Sequence, residues 1–336
     1  MSDSGLSNLG PHGPGPEPGP ELQRWLGAVL TGQLVTGRAR LGGGYRNRNT
    51  RLDLDDGESL VLRQYDADDA ARICAIEAAV LARLRGAAPV PDVVAADPTG
   101  TAAGEPVLLT RFAAGMPLSA ALADPQARPG DHAGLGRAAG QALAAIGTVS
   151  FPRGGFFTDG SLRPAAEGLP GGLPEFVDAC LAAGPAPAVL SAAELDGLRA
   201  LARADEPYAA RADGGRQLVH SDFNPKNLLA VRADGRWSVS AVLDWEFAFS
   251  GSPLHDIGNM LRFEQPPGFA AGFADGFRDG GGDLPPDWRP VSAALDLFAL
   301  ADLLTRPAGH PYFGKAVSAV RARLAGAARP RPGPAA

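Results

Sequence analysis

The sequence predicts an α+β chain of two lobes: a small β-rich N-lobe with one helix, then a larger, mostly helical C-lobe that carries a hairpin. Three observations predict it. Strand-like runs crowd the chain between Val35 and Phe112. Helical apolar spacing dominates from His132 onward. Within that helical half, Leu218–Glu246 (LVHSDFNPKNLLAVRADGRWSVSAVLDWE) breaks the pattern with two apolar runs around Asp234-Gly235, a strong short-range hairpin signal.

A chain of 336 residues is long enough for one large or two ordinary domains. Its 45% hydrophobic and 20% charged content is that of a soluble globular protein. The formal charge of −6, without any basic run, argues against a nucleic-acid partner. No stretch of uncharged apolar residues is long enough to span a membrane, and the N-terminus lacks a secretory profile, so a cytoplasmic protein without a membrane partner is expected. Cys74 and Cys180 read as free buried thiols. The expected assembly is a monomer or homodimer.

Residues 1–20, rich in Gly, Pro and Ser, read as a disordered tail. A short amphipathic helix over Glu21–Leu30 begins the N-lobe, which runs from 21 to 112. Val35–Tyr65 reads as three strands. The first connection, Leu41–Asn47, is glycine-rich, and the bare backbone at Gly43 and Gly44 could lie over phosphates. Thr50–Asp55 and Glu58–Tyr65 pair across Asp56-Gly57. The helix over Asp68–Arg85 carries Ile73, Val80 and Leu84 on one face, and Glu77 falls in the middle of that apolar stripe. A carboxylate there needs a cation, and Arg63 on the preceding strand is its natural partner.

Pro89–Val94 reads as leading into a turn, and Val107–Phe112 as an apolar strand. Ala113–Pro117 fits a linker, so the C-lobe runs from 113 to 328, with 329–336 a flexible tail. Helices are predicted over His132–Val149, Leu173–Ala183 and Ala192–Ala204, with a long Gly/Pro/Phe-rich loop at Phe151–Gly171. Further helices open near Ser252 and cover Phe269–Phe277, Val291–Leu304 and Val317–Leu324.

The hairpin Leu228–Leu243 brings Asn227, before its first strand, and Asp244, after its second, to one open end. His220-Ser221-Asp222 lies on the loop just upstream. Two oxygen ligands on a rigid hairpin, completed by waters and a phosphate, suit Mg²⁺. A further carboxylate on the adjacent loop could accept a proton or orient a hydroxyl. H-x-D-x-x-x-x-N followed by a strand-borne Asp is the phosphoryl-transfer arrangement of the kinase fold.

His220–Asn227 (HSDFNPKN) and Leu243–Glu246 (LDWE) resemble the two signature motifs of the aminoglycoside phosphotransferase and choline kinase superfamily, small-molecule kinases that share the protein-kinase architecture. In that family the first motif usually reads H-G-D, and here Ser221 stands for the Gly, which removes backbone freedom at that point. The resemblance implies Asp222 as catalytic base, Asn227 and Asp244 as Mg²⁺ ligands, and ATP or GTP as donor to a small-molecule hydroxyl. It further implies that Arg63 stands where a kinase fold carries its phosphate-binding Lys, with Glu77 positioning it, that His220 is a scaffold rather than a base, and that Asp256 braces the catalytic loop. An ordinary helix-capping role explains Asp256 equally well. For Glu246, three readings stay open: facing the substrate, touching a second metal through water, or making a scaffold bond. Lys226 reads as the partner of a solvent-side carboxylate in preference to a phosphate.

The resemblance divides the acceptor between an antibiotic, which is favoured, and choline, an amino alcohol or a sugar. Glu167, Glu175 and Asp178 could receive a cationic acceptor, but no tight acidic cluster follows Phe151, which weakens a polycationic one. A non-catalytic nucleotide-binding regulator would show a broken motif, and Asp222, Asn227 and Asp244 are all present. A protein kinase would need D-F-G, A-P-E and a long activation loop, and Pro253 follows Asp244 too soon.

Overall fold

The structure, a computed structural model, describes residues 11–42, 47–165 and 172–327. In the first lobe β1 (Pro11–Pro14) precedes α1 (Pro20–Leu30), β2 (Val35–Leu41), β3 (Asn47–Leu54) and β4 (Ser59–Tyr65). Then come α2 (Ala70–Leu84), β5 (Val93–Asp97) and β6 (Val107–Arg111). The six strands form one antiparallel sheet in the order β1-β2-β3-β4-β6-β5.

Alternation along the strands sends side chains to two faces, each closed by a helix. On one, Leu52, Leu54, Leu60 and Leu62 meet Leu22, Trp25, Leu26 and Leu30 of α1 together with Val107 and Leu109. Leu108, between those last two, joins Ile73, Val80 and Leu84 of α2 in the main core.

Two expectations are corrected here. Residues 1–10 of the expected tail lie outside the described residues, but residues 11–14 form a strand: Pro11 and Pro14 pair with Leu41 and Ala39 on β2 at the edge of the sheet, where a proline's missing N–H is tolerated. The turn expected after Pro89 gives way to β5, an alanine-rich strand that pairs with β6.

The second lobe begins with β7 (Met116–Pro117), which pairs with the hairpin rather than the first sheet. It continues through α3 (Leu118–Leu122), α4 (Pro129–Ile146), β8 (Gly155–Phe156), α5 (Leu173–Ala183) and α6 (Ala192–Ala209). After β9 (Gln217–Val219) come the hairpin strands β10 (Leu228–Ala233) and β11 (Arg236–Val242), then β12 (Phe249–Gly251). Helices α7 (Leu254–Leu261), α8 (Phe269–Asp279), α9 (Trp288–Leu303) and α10 (Pro311–Ala327) complete it. At the hairpin tip Asp234 and Gly235 have φ of 51° and 74°, the two left-handed residues that the Asp-Gly signal requires. α6 runs past its expected end at Ala204 and carries Pro207 inside it. Cys74 and Cys180 are free and buried, and among the described residues no helix is long and apolar enough to cross a membrane.

α4 and α8 approach backbone to backbone through glycines. A Cβ on Gly140 would lie 2.1 Å from the Phe273 carbonyl oxygen, and one on Gly276 would lie 2.1 Å from that of Arg137. This contact fixes α8 against the helix that also packs on β11.

Candidate active site

The loop 220–227 leaves β9 and enters β10, and its shape is set by polar contacts to the backbone. The Leu228–Val242 pair opens the hairpin, and the Leu243 N–H donates to the Asn227 carbonyl at 2.8 Å. Asn227 and Asp244 are thereby held together at the open end, as the sequence predicts.

His220 is fully buried. Its Nδ1 accepts the Asp222 N–H at 3.2 Å, so the ring proton sits on Nε2 and is donated to the Leu243 carbonyl at 2.8 Å. Burial lowers its pKa, and both ring nitrogens are committed. The ring ties the loop to the second hairpin strand and has no nitrogen left for proton transfer.

Asp256, on the first turn of α7, is also fully buried. Its two oxygens accept the His220 and Ser221 N–H groups, each at 2.8 Å. Burial pushes its carboxyl up to about 7 against the pull of those donors. One helical turn later, Asn259 donates to the Ser221 carbonyl at 2.8 Å. Ser221 is therefore pinned on both sides, with φ of 74°. This left-handed backbone is what a glycine at this point would supply without strain. Replacing Ser221 with Gly is expected to stabilise the protein by up to about 1 kcal/mol, less the added freedom of the unfolded chain. Thermal unfolding checks this; a lowered Tm would show that the hydroxyl makes a compensating contact.

Asp222 receives an amide hydrogen on each carboxylate oxygen: Asn224 Nδ2 to Oδ1 and Asn227 Nδ2 to Oδ2, both at 2.8 Å. Burial, and then the Asp244 charge, raise its pKa. Because Asn227 spends its amide nitrogen on Asp222, its Oδ1 is the atom left for a cation.

Asp244 sits at φ 71° and accepts Arg63 Nη2 at 2.5 Å. Arg63 is the hub of the other wall. Its Nε lies 3.3 Å from Glu77 Oε2, and Nη2 lies 4.0 Å from Glu246 Oε2. The predicted strand–helix ion pair is present, and Tyr65 reinforces it by donating its hydroxyl to Glu77 at 2.7 Å. Burial works against the Arg63 charge, but Glu77 and Asp244 outweigh it and hold its pKa above the ordinary value. Burial likewise opposes the Asp244 charge, and Arg63 overcomes it. Glu77 is raised by burial against the same guanidinium. Glu246 also accepts Asn47 Nδ2 at 3.3 Å; burial, and then Asp244, push it up to about 7.

Among these residues one guanidinium faces Glu77, Asp244 and Glu246, with Asp222 beside them. The carboxylates exceed the cation, which leaves charge for a further cation to balance. Asp244 and Asn227 Oδ1 offer the hard oxygen donors that Mg²⁺ prefers, and two protein ligands suffice for an ion that keeps its waters and binds phosphate. No group of three or more His, Cys, Asp and Glu side chains that could hold a metal occurs among the described residues.

All of these groups except Tyr65, His220 and Asp256 line one cleft of about 1320 Å³ between the lobes. Gly43, Gly44 and Glu167 lie outside the described residues. Asp178 is an exposed partner of Arg199 at 2.8 Å, and neither it nor Glu175 lines the cleft. Lys226 departs from its expected partner: it forms no ion pair among the described residues, the carboxylates that act on it are Asp222 and Asp244 of the cleft, and Nζ lies 4.1 Å from the Tyr312 ring centre. Sequence reasoning missed Tyr65, Asn224 and Asn259. Tyr65 had a signal, because it shares a strand face with Arg63 at a spacing of two. Asn259 had one as well, three residues after Asp256 on one helix face.

No curated protein matches the chain. Solved structures do. A thermostable mutant of aminoglycoside phosphotransferase APH(4)-Ia, in ternary complex with ADP and hygromycin B, has a TM-score of 0.62 at 18% identity, over 92% of this chain and 99% of that one. A candidate fructosamine-3-kinase from Thermobifida fusca gives 0.59 at 21% identity, covering 89% and 97%. A macrolide 2'-phosphotransferase from Brachybacterium faecium gives 0.58 at 20% identity, covering 91% and 98%. At these identities the likeness concerns the fold, which is the two-lobed fold of protein-kinase-like small-molecule phosphotransferases. A model of the phosphotransferase enzyme family matches residues 38–293, and the chain belongs to that family.

Proposed function

We propose that the protein transfers the γ-phosphoryl group of ATP or GTP to a hydroxyl of a small molecule, with Asp222 as the base. One observation carries this reading: Asp222, Asn227 and Asp244 converge at the open end of the hairpin and face the Arg63–Glu77 pair across one cleft. Asn227 and Asp244 would hold Mg²⁺, which when bound offsets the negative charge of the donor's phosphates. Arg63, anchored by Glu77, presents its remaining N–H groups toward those phosphates. Asp222, fixed by two amide hydrogens, accepts a hydrogen bond from the acceptor hydroxyl and aims its oxygen at the phosphorus. The proton passes to the carboxylate late, because the transition state is loose and positioning does most of the catalysis. Glu246, tied to Asn47, holds the wall beside Arg63. The ADP in the hygromycin complex supports an adenine donor.

The cleft also suggests the kind of acceptor. Phe156 and Phe247 are 47% and 42% exposed, and both line it, with Phe249 packed against Phe156 at 5.3 Å between ring centres. Exposed aromatic rings beside reacting carboxylates suit an acceptor with an apolar face. A hydroxylated antibiotic of that type, modified to confer resistance, is favoured over a polycation. The fructosamine kinase fold keeps a metabolic acceptor as the second reading.

A coupled turnover screen with Mg²⁺, offering ATP and GTP against antibiotics, choline and sugars, tests the assignment. Turnover with any acceptor should vanish on removal of Mg²⁺. Asp244→Ala is expected to weaken Mg-nucleotide binding as well as rate; unchanged nucleotide affinity in that variant would remove Asp244 from the metal site.

A further inference from the structure

Of the 31 basic residues in this chain 29 are Arg, and the two lysines are Lys226 and Lys315. Eighty-nine residues apart in sequence, they converge on one side chain. Lys226 Nζ lies 4.1 Å and Lys315 Nζ 5.5 Å from the ring centre of Tyr312, so the two ammonium groups are no more than about 10 Å apart. Tyr312 and Lys315 share a face of α10 at a spacing of three, and Lys226 reaches them from the loop that carries Asp222. All three line the cleft.

Neither lysine forms an ion pair among the described residues. The acids that act on Lys226 are Asp222 and Asp244, neither within ion-pair distance of it; Glu264 and Asp302 also line the cleft, and Asp302 already pairs with Arg306 at 3.3 Å. Lys315 stands in the fifth position of α10, whose first turn carries no acid, so the positive end of the helix adds to the two charges. One ring face can attract an ammonium group, but it cannot cancel the repulsion between two of them. The cluster places two like charges on one ring beside the proposed base.

We infer that Lys226, Tyr312 and Lys315 form a subsite for an anionic group of the acceptor, a carboxylate or a phosphate, held while its hydroxyl reaches Asp222. This deepens the phosphotransferase reading and rests on it. The donor's phosphates are the other source of such an anion, since Lys226 adjoins Asn227 and acts on Asp244; Tyr312 and Lys315, however, stand on α10, which packs on α6 and α9 in the helical lobe, whereas Arg63 stands on β4 of the sheet. An anion subsite also separates this chain's acceptor from polycationic ones.

The lysine count supplies the test. Full-length protein carrying ¹³C only in lysine gives two side-chain signals. With saturating ADP and Mg²⁺ present, inorganic phosphate or citrate is expected to shift both signals saturably. In Lys315→Ala, whose side chain is exposed, the Lys226 signal should need about tenfold more anion, the loss expected for one charge-assisted contact. The proposal is overturned if neither signal, or only one, responds. It is also overturned if the signals move when AMP-PNP replaces ADP and phosphate then has no further effect, since the donor would be the source. Failure of the phosphotransferase reading is a separate result: no nucleotide turnover with any acceptor, whatever the lysine signals do.

Discussion

Asp222→Ala is expected to cut turnover by about 10²–10⁴-fold while nucleotide affinity stays near that of the unmodified protein. The size follows from what the side chain is built to do. Its two oxygens are fixed by Asn224 and Asn227, its backbone N–H is fixed by His220, and His220 is fixed in turn by the hairpin. Such a carboxylate keeps one direction for a hydroxyl, and positioning is the main catalytic resource in a loose phosphoryl transfer. The nucleotide side of the cleft rests on Arg63, Glu77, Asp244 and Asn227, and of these Asp222 is hydrogen-bonded only to the amide nitrogen of Asn227, not to the Oδ1 proposed for the metal. Rate with the acceptor found by the turnover screen, and nucleotide affinity by calorimetry, separate the two effects. Wild-type turnover in this variant would end the assignment of Asp222 as base. A parallel loss of nucleotide affinity would mean that the freed Asn227 amide had turned and disturbed the metal side.

The parts of this site that were legible in the sequence are those set by local rules. Asp234-Gly235 fixes the hairpin, the hairpin fixes the juxtaposition of Asn227 and Asp244, and a Glu in the apolar stripe of α2 calls for a cation on the facing strand. The parts that were not legible depend on partners distant in sequence. Ala95 and Ala96 have no strand signal of their own and become β5 only because β6 offers an edge. Lys226 was given a surface carboxylate, whereas its neighbour is an aromatic ring brought in by a helix that starts 85 residues later. Ser221 shows both sides at once: its departure from a glycine motif was visible, while the left-handed backbone that makes the departure matter was not.

Gly276→Ala is expected to destabilise the second lobe by about 2 kcal/mol or more, although alanine is the better helix former. In α8 the added methyl would lie 2.1 Å from the Arg137 carbonyl oxygen and 2.7 Å from its carbonyl carbon, so backbone rather than a movable side chain must yield. The opposing position is equally closed, since a Cβ on Gly140 would lie 2.6 Å from the Phe277 nitrogen. Either change separates the same two helices, so the double variant should lose less than the sum of the two single losses. Gly27→Ala on α1 is the control: nothing lies within 4 Å of its Cβ position, and the same substitution there should stabilise by about 0.5–1 kcal/mol. Thermal unfolding of the two variants should therefore move in opposite directions. A rise in Tm for Gly276→Ala would show that α4 and α8 stand further apart than described. Because α4 also packs on β11, loosening this contact should reach the hairpin, and the variant's residual turnover at moderate temperature should fall before its helical signal is lost.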